Sequence, residues 1–130
     1  MEDIKDMKDT VEENEDQTSE SIDAGEIELM VPIRAGGKDV TILKFDFALL
    51  SNDDLIRALK SDPKNNNPFD VNAQQLKYLF SIAAAKATDG IDEYDIRERM
   101  SAFDEIAALQ VAKLFFATKA RGAKIRFAKG

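Results

Sequence analysis

The sequence predicts an α+β fold, mainly α: an N-terminal β-hairpin, then a bundle of about four helices, behind a disordered acidic N-terminal tail. Three observations lead there. Apolar residues alternate with period two on both sides of the pair Gly36-Gly37. After Ser51 the apolar spacing changes to three and four, in blocks opened by Ser51, Asn72, Asp92 and Ser101. Residues 1–25 are rich in carboxylates, poor in apolar residues and free of aromatics.

The acidic segment sets the charge of the whole chain. Residues 1–28 hold twelve acids and two lysines, a net of −10, whereas residues 29–130 hold thirteen acids and sixteen bases, a net of +3. Such a head cannot bury enough apolar surface to offset its conformational entropy. Residues 1–25 therefore read as a solubilising tail, with folding onto a partner or mimicry of nucleic-acid charge as the functional alternatives. Ile4, Met7 and Val11 are spaced three and four apart, the pattern of a nascent helix, but like-charge repulsion along "EENED" opposes it.

The first strand places Ile27, Leu29, Val31 and Ile33 on one face, with Pro32 marking an edge or a strand end. "RAGGKD" supplies the turn. In the second strand Val40 and Ile42 share one face, and Thr41, Leu43 and Phe45 the other. A two-stranded hairpin is marginal alone, so it must lie on the helices or be extended by another chain. The first helix follows Ser51, with Asp53 and Asp54 at the positive end of its dipole and Leu55, Ile56 and Leu59 as its apolar face. Pro63 and Pro68 end it, and Phe69 is an apolar anchor in the polar loop "SDPKNNNPFD".

Asn72 and Gln75 form a capping box for the second helix, whose stripe is Leu76, Leu79, Phe80, Ala83, Ala84 and Ala87. Asp89-Gly90 stops it. A short third helix begins at Asp92 and buries Ile96 and Met100. The last helix opens with Ser101 and Asp104 and carries apolar residues on more than one face up to Gly122, a C′ glycine. The domain boundaries expected are 1–25 for the tail, 26–121 for the hairpin and helices, and 122–130 for a basic C-terminal tail.

Cysteine and histidine are absent, which excludes disulfides, thiolate metal sites, cysteine nucleophiles and Ser-His-Asp triads. Glu93, Asp95 and Glu98, with Lys86 and Arg97 close by in sequence, read as a solvated helix face. "RAGGKD" lacks the spacing of a phosphate loop, and Asp89, Gly90 and Asp92 lack the ligand pattern of a calcium loop. The expectation is a protein without catalytic residues, cofactor or metal. Lys124, Arg126 and Lys129 with Phe127 are a weak nucleic-acid signal that the acidic head opposes. No apolar run approaches the ~20 residues of a membrane span, and no signal peptide is visible, so a soluble intracellular protein is expected.

Leu114-Phe115-Phe116 is the most informative apolar signal. Neighbours on a helix point about 100° apart, so the three cannot share one narrow buried stripe. Either other elements wrap this helix on several sides, or part of the triplet faces a partner.

The ordered layout resembles the phage tail assembly chaperones of long-tailed bacteriophages. The residues that carry the resemblance span about 29–117: Val31-Pro32-Ile33 with Gly36-Gly37-Lys38-Asp39-Val40; Leu43-Lys44-Phe45-Asp46-Phe47 leading to Leu50-Ser51-Asn52-Asp53-Asp54-Leu55; Ile82-Ala83-Ala84-Ala85-Lys86-Ala87; and Ser101-Ala102-Phe103-Asp104 with Leu114-Phe115-Phe116. The chain has Ser51-Asn52 where the family often has a Thr-Gly pair, a longer acidic head, and its own "PKNNNPF" loop. The resemblance implies a protein of the host bacterial cytoplasm that binds the tape-measure protein, keeps it soluble, helps recruit tail-tube subunits and is absent from the finished virion. It also implies a tendency to self-associate, and a client surface that includes Leu114, Phe115 and Phe116 with Phe80 and Phe69. The alternative from another class is a small acidic phage or prophage regulator or inhibitor, acting by protein binding or nucleic-acid mimicry.

Overall fold

The computed structural model describes residues 23–65, 67, 70–122 and 128. Strand β1 (Ala24–Ala35) pairs antiparallel with β2 (Lys38–Asp46). Between them Gly36 and Gly37 both take positive φ, 59° and 80°, which a hairpin turn of matching twist requires and which costs glycine nothing. The pairing is regular from Ala24↔Asp46 to Glu28↔Ile42, then resumes at Ile33↔Val40. Leu29, Met30, Val31 and Pro32 thus stand opposite Thr41 alone, an irregular bulge. This corrects the expected alternation. Leu29 and Ile33 face the core, but Val31 is 47% exposed and Met30 72%. Pro32, which has no N–H to lose, sits inside the bulge.

Phe47–Leu49 forms a 3-10 turn that the sequence reading did not foresee. Asp46 caps it through Ala48 N–H at 3.0 Å, and Phe47 N–H donates to the Asp23 carbonyl at 2.6 Å. The turn swings Phe47 inward. Helix α1 (Asn52–Lys60) begins with a full capping box: Ser51 Oγ accepts from Asp54 N–H at 3.1 Å, and the Asp54 carboxylate accepts from Ser51 N–H at 2.9 Å. Its inner face is Ala58, with Leu55 and Leu59 half-buried; Ile56, expected inside, points out.

Helix α2 (Ala73–Ala87) is the central element and packs on β2, α1 and two later helices. Leu79 through Ala84 are all buried, so Ser81 and Ile82 join the stripe read from sequence. The small residues Ala83 and Ala84 let neighbours approach closely. Gln75, fully buried, spends all its hydrogen-bonding capacity. Nε2 donates to the carbonyls of Leu59 (2.8 Å) and Asn65 (2.9 Å), and Oε1 accepts from Asn72 N–H (2.9 Å) and Asn65 Nδ2 (2.8 Å). One amide therefore ties the end of α1, the intervening loop and the start of α2. Phe69 lies outside the described residues.

Helix α3 (Glu93–Arg99) is capped by Asp92 and buries Ile96, with Met100 half-buried. Helix α4 (Ala102–Gly122) runs through Gly122 rather than stopping before it. The core joins the hairpin to all four helices. Its centre is aromatic: Phe45 lies 5.4 Å from Phe47 and 5.6 Å from Phe80, centroid to centroid, and Phe115 stacks on Phe47 at 4.4 Å. Each fully buried side chain of this size contributes about 1.5–3 kcal/mol relative to exposure. The tail expected at 1–25 falls largely on residues 1–22, outside the described residues, and β1 starts at Ala24. Residues 124–127 and 129, where the basic tail was read, also lie outside them.

Candidate interaction surface

The surface follows from the phase of α4. Residues advance about 100° each, so Asp104, Ala108 and Ala112, four apart, form one line. That line is buried. The opposite side carries Phe103, Ile106, Gln110, Leu114 and Ala117, all exposed. Phe103 is 67%, Ile106 58% and Leu114 51% exposed. A surface helix ordinarily turns polar residues outward. This one is apolar on both faces, and among the described residues only one of them has a neighbour.

The triplet singled out from sequence divides accordingly. Leu114 points outward. Phe115 is half-buried and stacks face to face on Phe47, 12° from parallel. Phe116 is half-buried against the core. Phe80 needs correction as a partner-binding residue: it is 1% exposed, packed in the core against Phe45 and Phe47, and it offers a partner no surface. Phe103 and Ile106 are not among the partner-binding residues expected from sequence. The four-residue spacing of the small or capping residues Asp104, Ala108 and Ala112 marks the inner face and so places both outside.

The start of α4 is fastened to the hairpin bulge. Asp104 Oδ1 accepts from Met30 N–H at 2.8 Å and Oδ2 from Val31 N–H at 3.1 Å. Ser101 Oγ donates to Oδ2 at 2.9 Å and accepts from Asp104 N–H at 3.2 Å. Burial pushes the Asp104 carboxyl up, but the two backbone N–H donors and the Ser101 hydroxyl outweigh it and hold the pKa below the usual range. The exposed Met30 and Val31 are thereby held at the N-terminal end of the helix that presents Phe103 and Ile106.

The remaining polar clusters are structural ties. Asp54 pairs with Lys86 and with Arg57 (3.4 Å), and Arg57 pairs with Glu93 (3.0 Å). Glu93 also pairs with Arg97 (2.8 Å), whose guanidinium lies 4.0 Å from the Tyr78 ring centre and donates to Ser81 Oγ. The Lys86 hydrogen bond, with the N-capping donors of Ser51, holds Asp54 at about 2. Arg57 and then Arg97 hold Glu93 low. The acidic face expected at Glu93, Asp95 and Glu98 is thus only partly solvated: Glu93 pairs with Arg57 of α1, whereas Glu98 is exposed. Among the described residues no group of three or more His, Cys, Asp or Glu could hold a metal ion, and no helix is long and apolar enough to cross a membrane.

Both hairpin edges carry side-chain partners. On β2 the Thr88 hydroxyl accepts from Lys44 N–H and donates to the Lys44 carbonyl, both at 2.9 Å. On β1 Asp104 takes Met30 and Val31, and Arg99 donates to the Arg34 carbonyl at 2.8 Å. Less backbone is left there to template a further strand. No protein-family model matches this sequence, and comparison with curated proteins and with solved structures finds no match.

Proposed function

We propose that this chain is a binding protein of the phage tail assembly chaperone type, which shields apolar stretches of a helical tape-measure protein on the outer face of α4. The observation that carries the reading is the face itself: Phe103, Ile106 and Leu114, each more than half exposed along one line of a helix whose other side is fixed in the core. Exposed apolar patches on a small domain mark interaction sites. An amphipathic client helix would lay its apolar face along such a line. Recruitment of tail-tube subunits, action in the bacterial cytoplasm and absence from the finished virion belong to the same proposal and rest on the sequence resemblance. The acidic head supplies the charge that keeps an apolar-surfaced protein soluble.

The test is co-expression with the tape-measure protein of the same genome, followed by affinity capture of this chain. The expected result is a soluble client that co-purifies, and loses that ability when Ile106→Asp or Leu114→Asp is introduced into a still-folded chain. A client that stays insoluble and uncaptured beside the unaltered chain would reject the proposal in favour of a regulator acting through its acidic head.

A further inference from the structure

The outer face of α4 is complementary to itself. We infer that two copies of this chain pair there, α4 against α4 and antiparallel, about a two-fold axis at Gln110, and that a client displaces the second copy. Only the client's part depends on the function proposed above; the pairing itself stands on spacing, side-chain size, charge and area.

Spacing sets the register. The exposed residues Phe103, Ile106, Gln110, Leu114 and Ala117 lie three, four, four and three positions apart. That series reads the same in both directions. A two-fold interface joins one patch to itself, so that residue i meets j while j meets i. Turning a second α4 end for end about Gln110 sets Phe103 on Ala117 and Ile106 on Leu114, twice each, and Gln110 on its mate. Size agrees. The bulkiest side chain of the line meets the smallest, and the two branched aliphatic ones meet each other. Parallel pairing would set Phe103 on Phe103 and Ala117 on Ala117, crowding one end and leaving a void at the other. The Gln110 amide carries both donor and acceptor, so two of them can bond across the axis. A single polar residue in an apolar seam fixes its register.

Charge permits the approach. Between Ala102 and Thr118 the acids are Asp104, which is buried, and Glu105, which is half-buried; Lys113 is the one fully exposed charge of that stretch. The antiparallel register puts Lys113 level with Ala107 of the mate, so the two ammonium groups stand about 9 Å apart along the axis. The helix dipoles run opposed. Area sets the strength. The line is about 21 Å long. With Met30 and Val31, which Asp104 holds at the same end, its exposed apolar area is on the order of 500 Å² per copy, about 1,000 Å² for a pair. That is the size of a weak, reversible contact, as exchange with a client requires. The hairpin offers a second copy less, because Thr88, Asp104 and Arg99 already take up backbone groups on its two edges.

The chain has no cysteine, so one introduced thiol reports on the axis in the full-length protein. Helix axes 8–10 Å apart leave facing Cα atoms about 5 Å apart, within reach of a disulfide. With oxidised glutathione as oxidant and no client present, Gln110→Cys is expected to form a covalent dimer much faster than Tyr94→Cys, an exposed position on α3. Phe103→Cys mixed with Ala117→Cys should cross-link faster than Phe103→Cys alone. Sedimentation equilibrium of the unaltered chain should show a dimer fraction that rises with concentration and is lost in Ile106→Asp. Gln110→Cys cross-linking no faster than Tyr94→Cys overturns the inference. So does Phe103→Cys cross-linking to itself as fast as to Ala117→Cys, which would mean parallel helices. A chain still monomeric at about 1 mM, or a dimer indifferent to Ile106→Asp, overturns it as well. The two proposals fail separately. A monomer whose client capture depends on Ile106 removes the pairing and leaves the function. A dimer of this register with no capturable client does the reverse.

Discussion

The carboxylate of Asp104 and the backbone N–H of Met30 meet at 2.8 Å across 74 positions of sequence. The same carboxylate takes Val31 N–H at 3.1 Å and the Ser101 hydroxyl at 2.9 Å. One side chain closes the helix N-terminus and satisfies two bulge donors that the partner strand cannot reach. Leaving a buried donor unpaired costs about 1–3 kcal/mol. Asp104→Ala is expected to lower unfolding stability by about 3 kcal/mol and Asp104→Asn, which keeps one acceptor oxygen, by about 1–2 kcal/mol. Urea denaturation measures both; equal, small losses would mean the clamp is incidental.

Acid should reveal the tie between α1 and α2. The Lys86 hydrogen bond and the Ser51 N–H lower the pKa of Asp54 from its ordinary 3.8 to about 2. The folded value lies below the unfolded one, so this stabilisation is complete above pH 3.8 and is lost as pH falls toward about 2. Glu93 and Asp104 are shifted in the same direction and add to the loss. Unfolding free energy measured against pH should drop through that window, and less steeply in Asp54→Asn. An unchanged slope in the variant would show that Asp54 carries none of the acid sensitivity.

Adjacent residues of α4 should answer to different assays. Phe115→Ala removes the stack on Phe47 and opens the core, an expected loss of about 2–3 kcal/mol for a half-buried phenylalanine. Leu114→Ala, on the exposed face, should stay within about 0.5 kcal/mol of the parent in thermal unfolding while weakening client capture. A large stability loss in Leu114→Ala would move it into the core and remove it from the binding surface.

Much of this fold was legible because its punctuation is local. The caps Ser51, Asn72, Asp92 and Ser101 each accept from an N–H three residues on, a relation that needs no tertiary structure. Gly36-Gly37 likewise declares its turn. The bulge was not legible, since the alternation Leu29, Val31, Ile33 is unbroken in sequence. It is broken in space by a carboxylate 73 residues from Val31. Phe80 misled for a related reason: its burial depends on Phe45 and Phe47, more than thirty positions away in sequence. The outward face of α4 lay between these cases. The triplet Leu114-Phe115-Phe116 allowed two readings, a helix wrapped on several sides or one with an open side. Which residue opened was decided by the stack of Phe115 on Phe47.

A charge introduced at the bulge should separate its two roles. Met30→Glu alters a side chain that is 72% exposed and leaves the N–H bonded to Asp104 in place. Stability is expected within about 0.5 kcal/mol of the parent. If the binding surface extends from α4 onto the bulge, client affinity falls; affinity equal to the parent's would confine the surface to the helix.

The most direct test of the account is a methyl-resolved titration of the full-length chain with helical segments of the tape-measure protein from the same genome. The account requires Ile106 and Leu114 to shift with saturable dependence on the segment, while Leu43, Leu79 and Ile82, each 1% exposed or less, remain in place. Shifts confined to other surfaces, with Ile106 and Leu114 unmoved, would contradict the assignment of the outer face of α4 as the binding site.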